Sequence, residues 1–157
     1  MIIVSDTSPI NYLILIGHID LLPKLFQQII IPQTVSSELS DEFAPLPVQA
    51  WIANPPSWLK IQSVSHLSDP ILDLLDPGER AAILLALELD ADLLLLDDMK
   101  ARRAATDKGF TLTGILGILD QAATMRLIDL PAAVQKLQNT SFWASDRLFQ
   151  KLLDKHS

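Results

Sequence analysis

Four consecutive leucines, Leu93-Leu94-Leu95-Leu96, run directly into Asp97-Asp98. A short unbroken apolar run is a strand buried on both faces, as in a parallel sheet covered by helices. This one delivers two adjacent carboxylates to its carboxyl end. The N-terminus repeats the device, with Ile2-Ile3-Val4-Ser5 leading to Asp6. Like charges crowded at one sheet edge cost free energy unless something positive joins them. A divalent cation is the usual companion.

Apolar strands alternate with helical patterns along the chain, the signature of parallel βαβ units and an α/β fold. Strands are expected at Ile2–Ser5, Ile29–Ile31, Trp58–Val64, Leu93–Leu96 and Phe110–Leu112. Ser8-Pro9 reads as N-cap and first position of a helix ending near Gly17. Further helices are expected at about 19–27, from Pro32 through Leu39, and at 48–53. Asp69-Pro70 starts a short helical turn. Asp76-Pro77-Gly78-Glu79 opens a helix to about Leu89, and Lys100 to Lys108 forms one closed by Gly109. Thr113 is expected to cap a helix reaching Met125. Two amphipathic helices, about 131–138 and 145–153, finish the chain. No internal repeat or domain boundary shows, so residues 1–157 read as one domain.

No stretch approaches the ~18 apolar residues of a membrane span. The first residues carry no basic segment, so a signal peptide is not expected and the cytoplasm is the default. The absence of cysteine excludes disulfides, thiolate chemistry and Cys-ligated zinc. A net charge of −7 argues against a nucleic-acid partner. Lys100, Arg102, Arg103 and Lys108 nevertheless cluster just after the acidic pair. The apolar share of 49% suggests a dimer face or a protein partner.

Parallel sheets bind ligands at the carboxyl ends of their strands. Asp6, Glu38, Glu79 and the pair Asp97/Asp98 are therefore expected to converge. Hard cations such as Mg²⁺ and Mn²⁺ take oxygen ligands and leave coordination positions for water and substrate phosphate. The chemistry implied is phosphodiester hydrolysis. Each acid also has an ordinary reading. Asp6 can accept from the following helix start, and Glu79 stands at capping-box spacing from Asp76. Glu38 can be a solvated helix acid, and either of Asp97 and Asp98 can cap the next helix. Arg102 reads equally as a phosphate contact or as an acid's partner.

His18, His66 and His156 are scattered without ligand spacing. No glycine pattern matches a P-loop or a dinucleotide fingerprint. Thr113-Gly114 reads as a helix start rather than a phosphate cradle. Trp51, Trp58, Phe142 and Trp143 read as packing rather than as base-stacking platforms.

Five motifs occur in order: Val4-Ser5-Asp6-Thr7-Ser8-Pro9; Ile31-Pro32 through Val35 to Glu38-Leu39; Gly78-Glu79-Arg80-Ala81-Ala82; Leu94-Leu95-Leu96-Asp97-Asp98 with Ala101-Arg102; and Thr113-Gly114-Ile115-Leu116-Gly117. Together they resemble the PIN-like domain family of prokaryotic toxin-type ribonucleases, and more narrowly its DUF3368-type branch. The resemblance implies a three-layer α/β/α sandwich with a central, mainly parallel sheet. It implies Mg²⁺- or Mn²⁺-dependent cleavage of RNA, and often a toxin restrained by a small antitoxin. Asp6 matches the first acid, Glu38 the helical acid, Glu79 the third, and Asp97 or Asp98 the fourth. Metal ligands are then expected among Asp6, Glu79, Asp97 and Asp98. Ser8, Lys100, Arg102 and Thr113 are the substrate-side candidates. Two features depart from the family pattern: Glu79 stands where Asp is usual, and the fourth acid is doubled.

Two other readings compete. One is a PIN-like module that binds nucleic acid or protein without turnover. The other is a phosphatase of haloacid-dehalogenase type, which also has an early strand-tip Asp and a late acidic pair. That chemistry needs a second Asp two residues after the first, where this chain has Ser8.

Overall fold

The computed structural model describes residues 1–65 and 68–157; His66 lies outside them. Five strands form one sheet: β1 (Ile3–Ser5), β2 (Ile29–Pro32), β3 (Leu59–Gln62), β4 (Leu93–Leu95) and β5 (Leu112–Thr113). Their order is β3-β2-β1-β4-β5, and every pairing is parallel. Ile29 and Ile31 of β2 with Ile3 and Leu95 face one apolar cluster; Val4, Ile30 and Leu94 face another. This period-two alternation splits each strand between two covered faces, which is why the strands read as continuous apolar runs.

The first face packs against α1 (Thr7–Leu15), α2 (Leu21–Phe26), α3 (Gln33–Leu39), α4 (Leu46–Ala53), α7 (Ile115–Thr124), α8 (Leu130–Gln138) and α9 (Asp146–Lys155). The second is covered by α5 (Pro77–Leu89), α6 (Met99–Asp107) and the short 3₁₀ helix Pro70–Leu74. The sandwich is thus three-layered, as the resemblance implied. No helix among the described residues is long and apolar enough to cross a membrane.

Two expected caps are corrected. Helix α1 begins at Thr7 with extended Asp6 as its N-cap residue, not at Pro9 with Ser8. Pro9 falls within the first turn, where backbone N–H groups have no intrahelical partner and a missing one costs nothing. Thr113 is the last residue of β5, paired with Leu95, and its carbonyl accepts from the Leu96 amide at 2.9 Å. Gly114 therefore takes the N-cap of α7. Strand β3 is also shorter than expected, because its pairing with β2 ends at Gln62 opposite Pro32.

From β1 the chain winds outward to β2 and β3; from β4 it winds the other way to β5. The adjacent tips of β1 and β4 therefore open a crevice where the connections diverge, the place where ligands bind in such sheets. Asp6 follows one tip. Asp97-Asp98 follow the other.

Candidate active site

The crevice is a cleft of about 1030 Å³ lined by Asp6, Glu38, Glu79, Asp97 and Asp98, with Asp76 beside them. The expected acids are brought together. Among the described residues, none of these carboxylates forms an ion pair.

Asp6 feels the charges of Glu79, Asp76 and Glu38. Its amide donates to the Leu95 carbonyl at 3.0 Å, which carries the β1–β4 ladder one residue past the strand. The residue is only 4% exposed. Burial pushes its carboxyl up to about 8, with repulsion from Glu79, Asp76 and Glu38 adding to the rise; a hydrogen bond donated by the Thr7 amide works against it.

Glu79 lies in the first turn of α5. Asp76 accepts from the Glu79 amide at 2.9 Å, and Glu79 accepts from the Asp76 amide at 3.3 Å, a complete capping box. Capping and membership of the cleft both hold for this residue. Burial, then repulsion from Asp76 and Asp98, lifts its carboxyl to about 7. Glu38 reaches in from the last turn of α3, where the Thr7 hydroxyl donates to its Oε1 at 2.5 Å. Gly78 makes room for it: a Cβ there would collide with the Glu38 carboxylate.

The acidic pair, equivalent in the sequence, divides its work. Asp98 caps α6 by accepting from the Ala101 amide at 2.9 Å, and its charge is felt by Glu79. Asp97 turns toward the start of α7, where its Oδ1 accepts from the Ile115 amide at 2.9 Å. Its Oδ2 is buried without a hydrogen-bond partner among the described residues. Burial raises the Asp97 carboxyl; the Ile115 amide and the Arg102 charge oppose the rise. A Cβ on Gly114 would strike Asp97 Oδ1, so only glycine lets the carboxylate sit over the start of α7. The first amide of that helix is thereby occupied by Asp97 rather than offered to a phosphate.

Ser8, Arg102 and Thr113 also line the cleft. Arg102 Nη1 donates to the Leu96 carbonyl at 2.7 Å, which holds the guanidinium beside the β4 tip. Lys100 does not line it; the residue is exposed. Two helical steps separate Lys100 from Arg102, which turns their side chains to different faces of α6. The rest of the basic cluster disperses too, with Lys108 bonded to Asp69 and Arg103 exposed. Three cleft residues carry no site signal in the sequence. Asp76 reads there only as a cap, and Thr7 only as part of a motif. Trp143, expected to be packing, is 82% exposed and lines the cleft. Trp51 and Trp58 do pack against the core, with ring centroids 5.8 Å apart.

These residues fit a hard cation. The donors are carboxylate oxygens, one of them buried without a partner, and among the described residues no basic side chain pairs with Asp6. Among the described residues no three acids or histidines form a ready-made ligand cage.

The fold and crevice together describe a parallel α/β domain with an acidic site at its switch point. Residues 2–157 match the model of the DUF3368 family, a PIN domain, and the chain belongs to that family. PIN domains are usually nucleases, which places the chain among hydrolases in general. No curated protein and no solved structure gives a significant match.

Proposed function

We propose that this protein is an endoribonuclease that uses Mg²⁺ or Mn²⁺, held among Asp6, Glu79, Asp97 and Asp98, to hydrolyse phosphodiester bonds. The observation that carries the reading is the convergence of the acids on one crevice at the tips of β1 and β4, with no ion pair to any of them among the described residues. Bound there, such an ion stabilises charge developing on phosphate and lowers the pKa of an attacking water. Glu38, fixed by Thr7, holds its carboxylate at the cleft wall. Arg102 is the basic side chain among the lining residues, and in this reading it contacts a substrate phosphate.

We further propose that it is a toxin restrained by a small antitoxin, working in the cytoplasm. Exposed Phe43, Leu46, Ile71 and Leu74 would suit such a partner or a homodimer contact. The test is cleavage of single-stranded RNA with Mg²⁺ or Mn²⁺, against EDTA and a small phosphoester. Cleavage lost in Asp6→Asn supports the assignment; wild-type activity in that variant refutes it.

A second reading, a binding module without turnover, draws on the engagement of Glu79 in its capping box with Asp76. It expects RNA binding with no cleavage under either ion.

A further inference from the structure

Resting on the ribonuclease reading above, we infer that Trp143 is a stacking platform for a base of the single-stranded RNA that the cleft takes. Trp143 lies in the loop between α8 and α9 and lines the same cleft as Asp6, Asp97 and Arg102. At 82% exposed, it forfeits the burial that an indole normally gains.

The loop around it is not loose. Phe142 packs edge-on against Tyr12 and Phe149, with centroids at 5.3 and 6.3 Å. The Phe142 amide donates to Thr140 Oγ1 at 3.2 Å, and the Tyr12 and Ser141 hydroxyls share a bond of 2.9 Å. Ser145 then caps α9 by accepting from the Leu148 amide at 3.2 Å. Residues on both sides of Trp143 are anchored while its own ring stands in water beside the acids. A held, exposed aromatic face gives stacking area with little left to order on binding.

The net charge opposes RNA binding, so an uncharged contact has more to supply. A net charge of −7 cannot supply the electrostatic attraction on which most nucleic-acid binding relies. An uncharged term must carry much of the affinity, and base stacking is sequence-tolerant and does not depend on charge. In a duplex both faces of each base are already stacked. Only an unpaired base has a face to offer Trp143.

The experiment measures binding of a labelled mixed-sequence RNA by anisotropy, single-stranded and as a duplex, in Ca²⁺ to limit cleavage. Tryptophan emission is followed in parallel, and cleavage kinetics are taken separately in Mg²⁺. Single strands should quench wild-type emission, and Trp143→Phe should lose that quenching while keeping affinity within about threefold. Trp143→Ala should bind about tenfold more weakly, the effect of losing one stacked base, and raise KM more than it lowers kcat. Its melting temperature should not change, because the ring is exposed. The inference is overturned, with the nuclease reading intact, if wild type cleaves RNA and Trp143→Ala binds single strands equally well. It is likewise overturned if duplex and single strand bind alike without quenching, which would give the indole to a protein partner. A wild type that neither binds nor cleaves RNA overturns both.

Discussion

The Thr7 hydroxyl donates to Glu38 Oε1 at 2.5 Å, joining the first residue of α1 to the last turn of α3 in the lining of the cleft. Glu38 sits on a long flexible side chain, and this bond selects one of its rotamers. Thr7→Val keeps the shape and the β-branch but removes the donor. The expected result is about tenfold lower RNA cleavage with a loss of roughly 1 kcal/mol in stability, the usual worth of one such bond. Thr7→Ser should restore cleavage. Equal rates for Thr7→Val and wild type would show that Glu38 needs no such anchor.

Gly114 bears on Asp97 as Thr7 bears on Glu38. An added Cβ would overlap Asp97 Oδ1 and approach Arg102 Nη1 to 3.1 Å. Asp97 has little room to yield, since its carboxylate is tied to the Ile115 amide. Gly114→Ala should therefore cost about 1–3 kcal/mol, as overpacking does, and reduce cleavage beyond that loss. Chemical denaturation gives the first quantity and an RNA assay the second. If Gly114→Ala leaves the protein as stable as wild type, Asp97 is held less tightly than its contacts indicate.

Much of this was legible in the sequence, for identifiable reasons. Ile29-Ile30-Ile31 and the four leucines before Asp97 announce strands because both faces of the sheet are covered, which leaves no polar alternation to confuse the pattern. Asp76 and Glu79 announce a helix start because a capping box is a local, four-residue device. Boundaries slip where a residue type fits two positions. Pro9 is tolerated anywhere in a first turn, and Thr113 serves as strand end as readily as cap. The bond between Thr7 and Glu38 spans 31 positions, and no local pattern encodes it. Asp97 and Asp98 are adjacent, so only the placement of α7 and α6 separates their partners. Trp143 misleads because an indole beside Phe142 looks like core, and its exposure is set by the anchoring of its neighbours.

Removing or adding metal should register in stability before any activity is assayed. Carboxylates that repel one another in the free protein gain a common counterion in the bound one. A ligand that binds only the folded state stabilises it by mass action, about 2.7 kcal/mol at a hundredfold excess over Kd. For a domain of this size that is a rise of several degrees in Tm. Mn²⁺ at millimolar concentration should produce it, EDTA should reverse it, and Asp6→Asn should blunt it. A flat Tm across the titration would count against an ion among these acids.

The same acids predict how stability responds to pH without metal. Asp6 has its carboxyl raised from 3.8 to about 8 in the folded protein, chiefly by burial. Between those values the native state binds a proton that the unfolded chain has already released. Stability must then fall as pH rises through that window and level off above it. Glu79, raised from 4.5 to about 7, slopes the same way over a narrower range. The carboxamide of Asp6→Asn carries no such proton, so that variant should lose the larger part of the slope. It should match wild type near pH 4 and exceed it in stability at pH 8, the two ends of the window set by the Asp6 shift. Denaturant midpoints for both proteins in EDTA, taken at roughly half-unit steps across that window and just beyond it, measure the difference. Parallel curves would mean that Asp6 is ionised in the folded protein across the whole range, with some other group satisfying its charge.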